Sequence, residues 1–208
     1  MRTLKTNLNL PLSEFKEWKN ATAFFHKKDI LEIMRKDKWR MHVLELVRDL
    51  GLPDWWIGAG FVRNKVFDYL HGYKKRTPLN DVDVIYFDRK NLSERREAYY
   101  QNKLKEKMPQ VNWSVTNQAR MHKLNGDKPY KNSADGLARW TETPTCVGVK
   151  IDKTGRLVLA APHGIKDLVN LVVRPGPLAK HRLGTYAKRM KEKNWRKRWS
   201  RLRILDLE

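Results

Sequence analysis

The sequence predicts an α/β fold, α+β in arrangement, with a small mixed sheet flanked by helices. Three observations predict it. Trp55-Trp56-Ile57 is a short aromatic and β-branched run that ends at Gly58-Ala59-Gly60 and passes into helical spacing at Val62, Val66, Tyr69 and Leu70. Asp81-Val82-Asp83-Val84-Ile85-Tyr86-Phe87 alternates with the period of a strand. Residues 147–151 and 156–160 read as the arms of a hairpin across Asp152-Lys153-Thr154-Gly155.

The chain has 208 residues, enough for one domain with a real core. It carries 44 Lys and Arg against 23 Asp and Glu, a net charge of +21. A field of that sign concentrates polyanions, so nucleic acid and nucleoside triphosphates are the first partners to consider. No apolar run reaches the length of a membrane span, and the first residues lack the apolar core of a signal peptide. Cys146 is the single cysteine, which excludes an intrachain disulfide and fits a cytoplasmic protein.

In chain order, residues 1–27 read as an N-terminal extension in which Ser13-Glu14-Phe15-Lys16-Glu17-Trp18 opens a short helix. Asp29 has the spacing of an N-cap with Glu32 as capping-box partner, turning Ile30, Leu31 and Met34 inward. Met41, Leu44, Val47 and Leu50 form a second helical stripe, with Gly51 at its C-cap. The strand at Trp55 follows. Gly58 and Gly60 are expected to adopt backbone angles other residues avoid, and to leave bare amides at the next helix. Such an N-terminus favours phosphate oxygens, with Arg63 and Asn64 in its first turn. A lone Gly-x-Gly also serves as a plain packing turn.

Strand alternation puts Asp81 and Asp83 on one face, about 7 Å apart. Two such carboxylates repel unless a cation lies between them, and hard oxygen ligands suit Mg²⁺ or Mn²⁺ bridging to phosphates. The other reading is a pair of solvated strand-end carboxylates. Ser93-Glu94 opens a charged helix that Pro109 stops. Val111-Asn112-Trp113-Ser114-Val115-Thr116 alternates, with Asn112, Ser114 and Thr116 on one side. A helix starts near Asn117-Gln118-Ala119-Arg120, residues 123–132 form a loop, and short helices follow at 133–140 and 164–171. From 174 onward there are twelve basic and three acidic residues. Trp195, Trp199 and Leu202 lie at helical spacing, so this tail reads as a basic amphipathic helix docked by its aromatic stripe. Outward Lys191, Lys193, Arg196, Lys197, Arg198 and Arg201 are placed to follow a phosphate backbone, with a membrane-surface helix as the rival reading.

The order strand, glycine turn, helix, basic loop, Asp-x-Asp strand resembles the core of the polymerase-beta-like nucleotidyltransferase superfamily. Residues 55–64, 80–86, 117–122 and 143–149 resemble, more narrowly, a bacterial nucleotidyltransferase family long catalogued as a domain of unknown function. The resemblance covers residues 28–175 and sets the expected division: extension 1–27, nucleotidyltransferase domain 28–175, basic helical tail 176–208. It implies transfer of a nucleoside monophosphate from a triphosphate to an acceptor hydroxyl, with two metals positioning both. Asp81 and Asp83 are then the catalytic metal ligands. Gly58, Gly60, Arg63 and Asn64 hold phosphates. Asn117, Gln118 and Arg120 line the cleft to read a base or acceptor, or tie a loop to the sheet.

Two departures stand out. Phe61 occupies the place of a superfamily Ser, and Ser114 occupies the natural place of a third carboxylate, for which Asp135, Glu142 and Asp167 are alternatives. The basic tail inclines the acceptor toward RNA, transfer RNA among them, over a small antibiotic-like molecule. A non-catalytic nucleic-acid-binding module and a metal-dependent nuclease are the competing functions. The six histidines and Cys146 show no zinc spacing.

Overall fold

A computed structural model describes residues 25–205. The helix expected around Ser13–Trp18 lies outside the described residues. Two helices, α1 (Lys27–Arg35) and α2 (Lys38–Arg48), precede β1 (Trp56–Gly58) and α3 (Gly60–Leu70). Then come β2 (Val82–Tyr86), α4 (Glu94–Lys107), β3 (Trp113–Asn117), α5 (Gln118–Asn125) and α6 (Ser133–Ala138). The hairpin β4 (Gly148–Ile151) and β5 (Leu157–Ala160) leads to α7 (Lys166–Val169) and β6 (Val172–Val173). The chain ends in α8 (Leu183–Lys193), α9 (Trp195–Arg198) and β7 (Arg203–Ile204).

Five strands form a mixed sheet in the order β3-β2-β1-β4-β5. Only β2 and β3 run parallel, joined by α4; β1 is antiparallel to both its neighbours. This makes the expected small mixed sheet, with the apolar β1 at its centre. Val82, Val84 and Tyr86 face the main core, together with Ile57 and Val149. The outer edge of β3 is closed by side chains of α4: Gln101 accepts from the Val115 amide at 3.3 Å and Glu97 from the Asn117 amide at 2.7 Å. An edge strand capped this way offers no template for a second strand.

Three local expectations need correction. Asp29 is not the N-cap of α1. His26 is, and Asp29 completes the capping box from the third helical position, accepting the His26 amide at 2.7 Å. The α2 stripe is rotated by about one residue: Arg40, Val43, Leu44 and Val47 are buried, while Met41 and Leu50 only flank the core. Periodicity misplaced it because Arg40 counts as polar. Its guanidinium is nonetheless enclosed, bonded to Asp37 at 2.6 Å and to the Phe61 carbonyl at 2.9 Å, over the Phe61 ring. The cap position of α2 is Asp49 rather than Gly51, which takes φ +65° two residues on.

The tail is not one helix. Asn194 adopts φ 43° and ψ 47° and breaks it into α8 and α9. Docking by the aromatic stripe nonetheless holds: Trp195, Trp199 and Leu202 all join the main core. Trp199 meets Phe67 edge-on at 5.4 Å, and β7 pairs in parallel with β6.

Candidate functional site

The site begins on one rung of the sheet. Ile57 pairs with Val84, so continuing the antiparallel register sets Gly58 opposite Asp83. Asp83 pairs with Ser114 on β3, and Gly58 with Gly148 on β4. Residues on one rung project to the same face. Serine, carboxylate and two glycines therefore share a face at the start of β2. The glycines are required by close approach rather than by special angles. A Cβ on Gly58 would lie 2.6 Å from the Trp140 ring, and one on Gly148 2.8 Å from Leu137.

The unusual angle falls between the glycines. Ala59 takes φ 48° and ψ −121°, a region that L side chains rarely enter. Gly58 and Gly60 were expected to carry such angles; Ala59 carries one instead. Its amide bonds to the Val147 carbonyl at 3.2 Å, and its carbonyl accepts from Arg63 at 2.9 Å. The turn is thus held from both sides while α3 starts abruptly at Gly60. No side chain caps that helix. Among the described residues the Gly60 and Phe61 amides meet no acceptor, an arrangement that attracts phosphate oxygens.

Arg63 and Asn64 reach this turn from beneath. The Arg63 guanidinium donates to Asn64 Oδ1 at 3.1 and 2.8 Å and lies over the Trp195 ring at 4.2 Å. Its Nη2 is 3.4 Å from the place a Gly60 Cβ would occupy. Burial pulls Arg63 down to about 10, against the pull of nearby Glu142, Asp83 and Asp81. At neutral pH it remains a cation, desolvated and fixed, which strengthens its action on an anion.

Asp81 is exposed just before β2, and Asp83 is half-buried within it. Burial first, then the charge of Asp81, raises Asp83 to about 6, while Arg63, the Ser114 hydroxyl and Lys193 act against the rise. A second cation is wanted here. Lys193, assigned from sequence to an outward basic face, belongs to this neighbourhood. No local pattern announces it, because α8 is brought in by the stacking of Trp195 on Arg63.

Phe61 is fully buried between Trp39 and Arg40, so no hydroxyl meets the turn from that position. Each alternative third carboxylate already has a partner in the chain. Glu142 is buried against Arg189 and accepts from Thr145 at 3.1 Å. Asp135 caps the Lys131 amide at 2.9 Å, and Asp167 pairs with Arg174 at 2.9 Å. Among the described residues no cluster of three or more Asp, Glu, His or Cys could hold a metal.

Asn117 and Arg120 lie at the opposite end of β3. Asn117 Oδ1 accepts from the Asp88 and Ala119 amides at 3.0 and 3.1 Å, and its Nδ2 donates to the Asp88 and Asn91 carbonyls at 2.7 and 2.9 Å. That exhausts its hydrogen-bonding capacity. Arg120 makes a two-pronged contact with Glu97 at 2.7 and 2.6 Å and reaches Glu94 at 3.0 Å. Asn117 thus ties the loop after β2 to the sheet, and Arg120 ties α5 to α4. His163 serves a turn, its Nε2 2.6 Å from the Ala138 carbonyl.

A family profile described as Nucleotidyltransferase matches residues 45–204. A solved NMR structure, described as revealing a CCA-adding enzyme head domain, is 33% identical with a TM-score of 0.78, covering 88% of this chain and 97% of its own. The Thermotoga maritima CCA-adding enzyme complexed with tRNA matches at 16% identity and TM-score 0.54, over 87% of this chain and 42% of its own. A CCA-adding enzyme in complex with ATP matches at 14% identity and TM-score 0.53, over 85% and 43%. With those two the likeness is one of fold, and this chain spans about two fifths of their length. No curated protein sequence matches the chain.

Proposed function

Because the chain belongs to this nucleotidyltransferase family, of the polymerase-beta-like superfamily, we propose that it moves a nucleoside monophosphate from a nucleoside triphosphate to an acceptor hydroxyl. The observation that carries the proposal is the rung on which Asp83 faces Gly58, with Asp81 beside it and Arg63 beneath the turn. The Gly60 and Phe61 amides and Arg63 hold the triphosphate, and Asn64 fixes the Arg63 guanidinium. Asp81 and Asp83 fit Mg²⁺ or Mn²⁺. They are neighbouring carboxylates, one of them raised by burial and then by the other's charge, and Mg²⁺ commonly takes only one or two protein carboxylates beside phosphate and water oxygens. Bound there, the ion supplies charge neutralisation at the reacting phosphate. In the transfer, the acceptor hydroxyl loses its proton to solvent as its oxygen bonds to the α-phosphorus, the α–β bridging P–O bond breaks, and pyrophosphate departs with its charge facing Arg63 and Lys193.

Labelled ATP, CTP, GTP and UTP, incubated with the protein, Mg²⁺ or Mn²⁺, and a pool of RNAs and small acceptors, test this directly. Label should pass to one acceptor class and vanish in the Asp81→Asn, Asp83→Asn double variant. Transfer that persists in that variant defeats the proposal. Ser114 and Phe61 favour a second reading, a module that binds nucleic acid without catalysis. It is distinguished by RNA binding with no label transfer by the wild-type chain.

A further inference from the structure

We infer that the loop at 73–76 and the tail at 196–201 form one phosphate track that leads a nucleic-acid strand to the carboxylate pair. The inference rests on the transfer reading above and names the surface that would hold the acceptor. Residues 69–80 contain Lys74, Lys75 and Arg76 and no acidic residue; residues 193–205 contain six Lys and Arg and none either. These segments are distant in sequence, and the fold sews them together. Tyr73 Oη donates to the Arg198 carbonyl at 2.8 Å, and Arg198 Nη1 to the Pro78 carbonyl at 3.5 Å. Arg201 donates from Nη1 to the Leu70 carbonyl at 2.9 Å and from its amide to His71 Nε2 at 3.3 Å.

One buried carboxylate fastens both segments to α3. Asp68 accepts the Thr77 amide and hydroxyl at 3.0 and 3.1 Å through one oxygen, and Trp199 Nε1 at 2.8 Å through the other. The surface above is left unneutralised. Lys74, Lys75 and Lys197 are exposed and make no ion pair with any described residue. Tyr73, 42% exposed, adds an aromatic edge.

The track has a direction. Beyond Pro78, the Leu79 side chain reaches within 3.2 Å of the place a Gly60 Cβ would occupy, and Asn80 and Asp81 follow. Phosphates bound along it would bring a strand's end to the carboxylates. Two cationic segments converging on one point suit a linear polyanion better than a planar lipid surface. The exposed face of α4 gives a contrast. It carries Lys103, Lys105 and Lys107, but Glu106 lies among them and pairs with Lys103 at 3.8 Å.

The test is fluorescence anisotropy of a labelled single-stranded RNA, and of DNA of the same sequence, over a range of salt. The triple variant Lys74→Ala, Lys75→Ala, Lys197→Ala, drawn from both segments, should bind about 10- to 100-fold more weakly near 0.1 M salt. Its slope of log affinity against log salt should be shallower by about 2, three single-strand contacts at roughly 0.7 each. Lys103→Ala, Lys105→Ala, Lys107→Ala should bind like wild type. Tighter binding of RNA than DNA would identify the strand as RNA, and equal binding any single strand; either supports the track. A triple variant with the wild-type slope overturns it, as does an equal loss in the α4 variant. So does loss of binding to phosphatidylserine vesicles alone. Mn²⁺–ATP binding should be unchanged in the triple variant. Its absence from the wild-type chain would defeat the transfer reading while leaving the track standing.

Discussion

The two ends of the parallel pair β2 and β3 are built from similar residues and finished in opposite ways. At one end Asp81 and Asp83 stand together with Ser114, and what opposes their charge comes from Arg63 and Lys193. At the other, Asn117 meets four partners and Arg120 is clamped by Glu97 and Glu94. Polar groups fully satisfied within the chain hold a fold; a half-buried carboxylate beside an exposed one is a candidate for binding a cation. Residue type alone does not separate these cases.

Variants can break this contrast. The largest effect is expected from Asp81→Asn with Asp83→Asn, which should cut label transfer at least 100-fold, with a melting temperature no lower than wild type. Asn117→Ala should do the reverse. It removes four side-chain hydrogen bonds from the buried Asn117 and leaves part-buried groups of Asp88 and Asn91 unpaired, and should cost about 1–3 kcal/mol of stability, read by urea denaturation, while the folded fraction keeps its transfer rate.

The next test uses pH. Asp83 is raised to about 6 in the folded, metal-free protein, above the ordinary 3.8. The folded state therefore binds this proton more tightly than the unfolded one. Stability is favoured while the group is protonated and is lost as pH rises from about 4 through 6. In EDTA above pH 7, Asp83→Asn should be more stable than wild type by on the order of 1–2 kcal/mol, and the difference should disappear near pH 4. An equal or lower stability at high pH would mean that burying Asp83 beside Asp81 costs the fold nothing.

Smaller effects sharpen the picture. Ser114→Glu puts a carboxylate opposite Asp83 and should tighten Mn²⁺ binding severalfold by calorimetry. Ala59→Gly removes the strain of a positive φ and should raise stability by up to about 1 kcal/mol. A loss of stability would show that the turn is not strained.

Much of the architecture was readable because it rests on local periodicity. The alternation of Asp81 to Phe87, the hairpin turn at Asp152 and the stop at Pro109 each declare an element without reference to the rest of the chain. What escaped depends on contacts between distant segments. Arg40 looks like a surface residue until the Phe61 carbonyl and Asp37 enclose it. Lys193 is exposed as its spacing suggests, yet its charge bears on Asp83, which no local pattern shows. The glycines at 58 and 60 suggested special angles, yet the requirement at Gly58 is the Trp140 ring, 82 residues away in sequence. The break at Asn194 left no periodic trace, because the residues on both sides keep helical spacing.

The central claim is that the end of β2 beside the glycine turn binds a metal–nucleotide complex. The most direct measurement is electron paramagnetic resonance of Mn²⁺ titrated with ATP against wild-type protein and the Asp81→Asn, Asp83→Asn variant. The account predicts that wild-type protein depletes the free Mn²⁺ signal in the presence of ATP and that the variant leaves it unchanged. Equal depletion by both proteins would place the nucleotide elsewhere and contradict it.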